Sequence, residues 1–246
     1  MGSPHSRDGE RTLPWRRRRP TSRQRPLLRS MAELWKLKSM RILLLMAMFG
    51  SFNGYAILTW SPAFFIRLHG LTAAELAPRI GVATATGLFL GNIMAGRISD
   101  VLGARDLRWY MRVSGFGSIL AVPFLFVFLF SNNVYAALAG LGATQLLLTT
   151  FMPPLFTISL TLAPVRLRAT TSMMMGMALY VVGLSFGPLI IGMLNDWLTP
   201  AEGITAVRHS LLIVAATLTL CGLLSLLANR WIVADAQAAT ATRQMT

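Results

Sequence analysis

The chain has 246 residues, of which 54% are hydrophobic and 13% charged, and it carries a formal net charge of +14. A soluble domain carries about 25% charged residues, so this composition excludes an ordinary soluble domain and marks an integral membrane protein. The charge does not point to nucleic acid. Twelve of the 23 basic residues lie in the first 41 positions, and most others flank apolar runs, as in segments held at an anionic inner leaflet.

Residues 1–30 contain Pro4, Pro14, Pro20, Pro26 and the run Arg16–Arg19. They offer little to a core and read as a disordered basic cytoplasmic tail. The segment is too long for an ordinary signal peptide, and Asp8 and Glu10 weaken a transit peptide. A linker and a misplaced gene start both remain open. Residues 31–41 read as an amphipathic interfacial helix. Met31, Leu34, Trp35 and Leu37 would face lipid, with Lys36, Lys38 and Arg41 toward phosphates.

Residues 42–234 read as a six-helix transmembrane domain, with spans near 42–66, 77–97, 109–130, 134–163, 170–194 and 210–233. Each approaches or exceeds the ~20 residues a bilayer requires. Gly87 and Gly91, four apart in the second span, should let a neighbouring helix come close. Residues 235–246 form a second cytoplasmic tail. The fold class is therefore all-α and membrane-embedded, with both termini inside. That orientation puts twenty of the 23 basic residues inside: the tail, Arg97, Arg105, Arg108, Arg112, Arg166, Arg168, Arg230 and Arg243. Only Arg67, Arg79 and Arg208 fall outside, as the positive-inside rule requires.

No Asp, Glu, Lys, Arg or His sits in mid-span, so no proton relay is visible. The polar residues that could line a substrate path are neutral: Asn53, Tyr55, Trp60, Asn92, Gln145, Thr149 and Tyr180. Asn, Gln and Thr can equally bond a neighbouring helix in lipid. Pro62, Pro153, Pro154, Gly187 and Pro188 can kink helices and act as hinges, or merely pack. Cys221 is alone, so no intramolecular disulfide or cysteine metal site exists. His5, His69 and His209 share no span with a candidate nucleophile, so a Ser–His membrane protease is not indicated. No catalytic residue, metal cluster or cofactor site is expected.

The polar stretch Gly96–Arg112 joins the second and third spans. Its Gly96, Asp100, Gly103 and Arg105 resemble the loop signature of the major facilitator superfamily, although Val101 stands where a basic residue is usual. Trp60–Gly70, Arg105–Tyr110, Arg168–Ser172 and the run Gly183, Gly187, Pro188, Gly192 and Asp196 are similar to the C-terminal half of its spinster-like branch. The likeness extends over about 38–234. It implies half of a major-facilitator fold and an alternating-access transporter of a small or lipid-like solute, in a plasma membrane of bacterial inner-membrane type. It also implies that the first, second, fourth and fifth spans line the cavity. Gly96, Asp100, Gly103, Arg105 and Arg168 would form one side of an inner gate whose partner lies in the missing half; by its own chemistry Asp100, at a helix end, can cap a helix N-terminus or pair with Arg105 or Arg168. The expected partners are lipid, a missing N-terminal six-helix half or a second copy, and the solute. A non-transporting fragment or accessory membrane protein is the alternative, and an enzyme ranks far below.

Overall fold

A computed structural model describes residues 27–244, with side chains described for residues 31–237. Every regular element among them is helical. α1 (Leu27–Trp35) precedes α2 (Lys38–His69), α3 (Ala73–Gly103), α4 (Arg108–Phe130) and α5 (Val134–Leu148). A 3-10 turn, Thr149–Phe151, leads into α6 (Met152–Leu162), and α7 (Arg168–Met177) continues through a π-helical stretch, Ala178–Val182, into α8 (Gly183–Glu202). α9 (Ala206–Leu211) and α10 (Ile213–Gln244) complete the chain. Most of the predicted tail, residues 1–26, and residues 245–246 lie outside the described residues.

The helix ends follow local chemistry. α2 stops at Gly70, whose φ of 66° lies in the left-handed region that a residue without Cβ enters freely. α3 starts with a capping box: Thr72 Oγ1 accepts the Glu75 N–H while the Glu75 carboxylate accepts from the Thr72 N–H. Asn133 Oδ1 caps α5 by accepting from the N–H groups of Tyr135 and Ala136.

Successive neighbours are α3 on α5, α5 on α4, α4 on α10, α10 on α2 and α2 on α8. The core is two clusters stacked along the bundle. One contains Leu34, Met40, Met111, Leu155, Met175 and Ile232; the other contains Phe64, Phe65, Phe128, Leu141, Val207 and Leu218. Many large apolar side chains point outward, including Phe89, Phe116, Phe126 and Leu184. An outward apolar surface suits lipid.

Among the described residues, four stretches are long and apolar enough to cross a membrane: Lys38–His69, Arg108–Phe130, Val134–Leu162 and Val165–Gln237. The last is 73 residues long and contains both predicted spans 170–194 and 210–233. α3, rich in Gly, Ala and Thr, is not among the four.

Four details differ from expectation at the termini. Helix already begins at Leu27, inside the segment read as disordered, and the predicted helix 31–41 is interrupted at residues 36–37. Leu37 is extended there, with φ −73° and ψ 122°, so α1 and α2 are separate rods. Leu34 faces the core rather than lipid, whereas Trp35 remains exposed. Packing of α1 against α7 explains the burial, and an ion pair between Glu33 and Arg166 reinforces it. At the other end, α10 continues through most of the predicted tail 235–246, because Ala234, Ala236, Ala238 and Ala239 favour helix. Its Asp235 Oδ2 accepts the Ser39 N–H at 3.1 Å, supplying the start of α2 with an acceptor.

Candidate functional site

A recess of about 210 Å³ opens between α2, α3, the α5–α6 break and the π-helical stretch. Gly50 and Gly54 contribute the α2 side. A Cβ on Gly50 would come within 2.5 Å of the Phe151 ring, so α2 and the break can meet there only because position 50 has no side chain. Four of the predicted path residues line the recess: Tyr55, Gln145, Thr149 and Tyr180. None of its lining residues is charged.

Two backbone irregularities shape it. Pro153 has no N–H to offer the Thr149 carbonyl, so the Met152 N–H bonds that carbonyl instead and the helix tightens into a 3-10 turn. This turns Thr149, Phe151 and Met152 toward the recess. Opposite, the π-helical stretch carries Leu179 and Tyr180 into it. Such single-turn bulges occur frequently at functional sites.

The polar side chains there are not equally available. Ser51 Oγ donates to the carbonyls of Ala47 and Met48. Thr149 Oγ1 donates to those of Gln145 and Leu146. Gln145 is only 1% exposed, and its Oε1 has no partner among the described residues. Tyr180 is 60% exposed at the rim.

The other three path candidates lie elsewhere. Asn53 is buried against α10, where its Oδ1 accepts the Thr217 hydroxyl. Trp60 Nε1 donates to the Pro188 carbonyl at 3.0 Å and thereby ties α2 to α8. Asn92 is exposed and donates to the Leu88 carbonyl within its own helix. Asn53 and Trp60 thus make contacts between helices and do not line the recess.

The hinge candidates divide similarly. The Pro153–Pro154 pair coincides with a real break, whereas α2 is one continuous helix through Pro62. Gly187 lies where a Cβ would be 2.9 Å from the Phe52 carbonyl, and Gly183 presses on Ser51, so α8 seats on α2. Pro188 follows the π-helical stretch and holds the Trp60 bond.

In the loop, Asp100 is exposed and accepts the Tyr110 hydroxyl at 3.2 Å. The anticipated pairing with Arg105 or Arg168 is not made among the described residues; both arginines are exposed at this end of the bundle. Gly103 leaves space for the Tyr110 ring, which would stand 2.1 Å from a Cβ at that position, and the ring delivers its hydroxyl to Asp100. Gly96 faces open space. Asp106 Oδ1 accepts the Arg108 N–H and starts α4, and Arg112 lies over the Trp109 ring, 5.1 Å from its centroid.

Sequence reasoning passed over Ser51, Leu58, Leu88, Phe151 and Met152 in the recess. The spacing of Gly50 and Gly54 was the available signal, because a four-residue repeat of small residues marks a close approach.

The sequence matches the family profile described as Major Facilitator Superfamily over residues 5–188. It is 30% identical over 174 residues to an MFS-type efflux pump of Mycolicibacterium smegmatis (strain ATCC 700084 / mc(2)155), covering 71% of this chain and 40% of that protein. The structure is similar to a bacterial homolog of the human lysosomal transporter Spinster, solved inward-facing and unoccupied. There the TM-score is 0.72 at 20% identity, over 85% of this chain and 51% of the other. The inward-facing, occupied structure gives a TM-score of 0.68 at 20% identity, over 82% of this chain and 51% of the other. At that identity the likeness concerns the fold. The chain spans about half the length of the proteins it matches, or less. The profile match over three quarters of the sequence shows that this chain belongs to the major facilitator superfamily.

Proposed function

We propose that the chain is the C-terminal six-helix half of an alternating-access transporter for a small or lipid-like solute. The crossings would be α2, α3, α4, α5 with α6, α7 with α8, and α10. Both termini would be cytoplasmic in a plasma membrane, of bacterial inner-membrane type. The carrying observation is the convergence of Tyr55, Gln145, Thr149 and Tyr180 on one uncharged recess bounded by two backbone irregularities. A partly open wall of this kind suits one side of a solute path whose other side comes from a second six-helix unit, either an N-terminal half or another copy. In this reading the Pro153–Pro154 break and the π-helical stretch ahead of Gly187-Pro188 are the hinges. Gly96, Asp100, Gly103, Arg105 and Arg168 form the inner-gate loop, with Tyr110 holding Asp100. The chain would act without enzymatic chemistry and without a cofactor.

Cysteine accessibility tests the topology. In a Cys221→Ser background, Lys36→Cys and Ala104→Cys should react with an impermeant maleimide only from the cytoplasmic side. Asn132→Cys and Ile204→Cys should react only from the opposite side. Reaction of Lys36→Cys from outside overturns the orientation. Flux is the second measurement. Proteoliposomes holding the chain alone should not move ethidium or a fluorescent lysophospholipid, and those holding it with a complementary six-helix half should. Flux by the chain alone refutes the need for a partner.

The half-length coverage of its relatives favours one other reading, a non-transporting fragment or accessory membrane protein. Failure of every complementary half to restore flux, with folding intact, selects it.

A further inference from the structure

The recess is more selective than a greasy opening would be. The hydroxyls of Ser51 and Thr149 are engaged by their own helices' carbonyls, so they have little to offer a bound molecule. Gln145 differs. The residue is 1% exposed, it lines the recess, and its buried acceptor Oε1 has no hydrogen-bond partner among the described residues. An amide left unbonded in an apolar setting is costly, and the cost is removed when a ligand supplies the missing partner. No charged residue lines the recess, so an ion entering it would lose water without gaining a counter-charge.

We propose that this recess binds an uncharged, mainly apolar segment of the cargo bearing one N–H or O–H donor, as in an amide or a hydroxyl, and that Gln145 Oε1 accepts from that group. The inference rests on the transport reading and narrows it to a chemical class. Gln145 is the discriminating contact, and Tyr180 at the rim covers the apolar portion. A charged headgroup of the same cargo is left outside the recess.

Photolabelling of the full chain in nanodiscs tests this without measuring flux. The probe is dodecanamide carrying a diazirine in its alkyl chain, with labelled residues mapped by mass spectrometry. Label should fall on the α2 segment near Tyr55–Leu58 and on Leu179–Tyr180. Dodecanamide should displace it at roughly tenfold lower concentration than dodecyltrimethylammonium, or than dodecanoate at a pH where it is ionised. Gln145→Leu should raise the dodecanamide concentration for half displacement about five- to tenfold, the scale of one lost hydrogen bond. It should leave displacement by the two ions unchanged. Leu58→Asp, at the recess rim, should abolish labelling by the amide and admit the cation, in protein whose size-exclusion profile matches wild type. Label elsewhere in the chain, equal displacement by the ions, or unaltered behaviour of either variant overturns the proposal. Recess labelling without flux in any pairing supports this inference and refutes transport; flux without recess labelling does the reverse.

Discussion

α5 is closed on one side and open on the other. On its α3 side, a Cβ at Gly87 would stand 2.4 Å from the Gly142 carbonyl oxygen, and one at Gly91 would stand 2.2 Å from that of Leu146. Backbone meets backbone there, and no space remains. At the recess, Gln145, Leu148 and Thr149 of the same helical rod face a cavity of about 210 Å³. The contrast separates two uses of small residues. In the α3–α5 seam they bring two rods into contact along their length. In α2, Gly50 and Gly54 admit one ring and then leave a hollow beside it. Gln145 stands at the boundary, with its Cβ 3.1 Å from where a Gly87 side chain would begin and its residue lining the hollow.

Filling the closed side should do the most damage. Gly91→Val would drive carbons into the Leu146 backbone carbonyl oxygen and the Thr149 hydroxyl, and the carbonyl is fixed within its helix. A cost above about 3 kcal/mol is expected, since overpacking typically costs about 1–3 kcal/mol even where side chains can shift. Size-exclusion profiles and thermal unfolding in detergent would show loss of the folded species. A monodisperse, wild-type-like Gly91→Val protein would contradict the seam.

The α2–α8 contact is held less rigidly. Trp60→Phe keeps an aromatic ring but removes the donor to the Pro188 carbonyl, and should cost about 1 kcal/mol, the net worth of one hydrogen bond. Protease susceptibility near the π-helical stretch should increase with it. An unchanged melting temperature and digestion pattern would show that ring packing alone holds α8.

Gly103→Ala in the loop should cost a similar or slightly smaller amount. The Tyr110 ring would be displaced and its bond to Asp100 lost. Tyr110→Phe should reproduce most of the effect, about 0.5–1 kcal/mol, and the two changes should not add, because both remove one interaction. Full additivity of the unfolding energies would dissociate the glycine from the hydrogen bond.

Glu33→Gln should have a smaller effect still. Its partner Arg166 is half exposed, and surface ion pairs contribute about 0–1 kcal/mol, reduced further by salt. A melting-temperature difference between the two proteins should shrink as salt is raised, whereas a salt-independent difference would point to packing of α1 instead.

The smallest expected effect is a pH dependence at Glu75, which lies in the first turn of α3 ahead of the predicted span 77–97. Hydrogen bonds from the Thr72 hydroxyl and N–H hold its carboxyl below the usual range. A carboxyl lowered by folding contributes stability that is present above its unfolded pKa and is lost as pH falls through the folded value. Melting curves between neutral and acidic pH should therefore lose a small increment at the acidic end that Glu75→Gln lacks. Identical slopes would remove the capping box from the account.

Much of the architecture was legible before the structure. A bilayer imposes length and polarity on a crossing, so apolar runs announce long helices directly, and four stretches among the described residues are long and apolar enough to cross. The loop signature at Gly96–Arg105 announced the superfamily because it is a local pattern, carried by residues within one ten-residue stretch. Even the Pro153–Pro154 break was readable, since a missing N–H is a property of the residue itself. Tertiary packing decided the rest. Seven neutral polar residues were equal candidates in the sequence, and four reached the recess while Asn53, Trp60 and Asn92 found partners on α10, α8 and their own helix. Rotation of a helix about its axis determines that division, and packing against neighbours sets the rotation. Asp100 accepts the Tyr110 hydroxyl across the turn between α3 and α4, where Gly103 leaves room for the ring, and the folded turn brings the two together. Leu34 turned inward because α7 lay beside it. A helix can state from its own residues that it will enter the membrane; which of its polar groups meets the cargo depends on what the neighbouring helices leave uncovered.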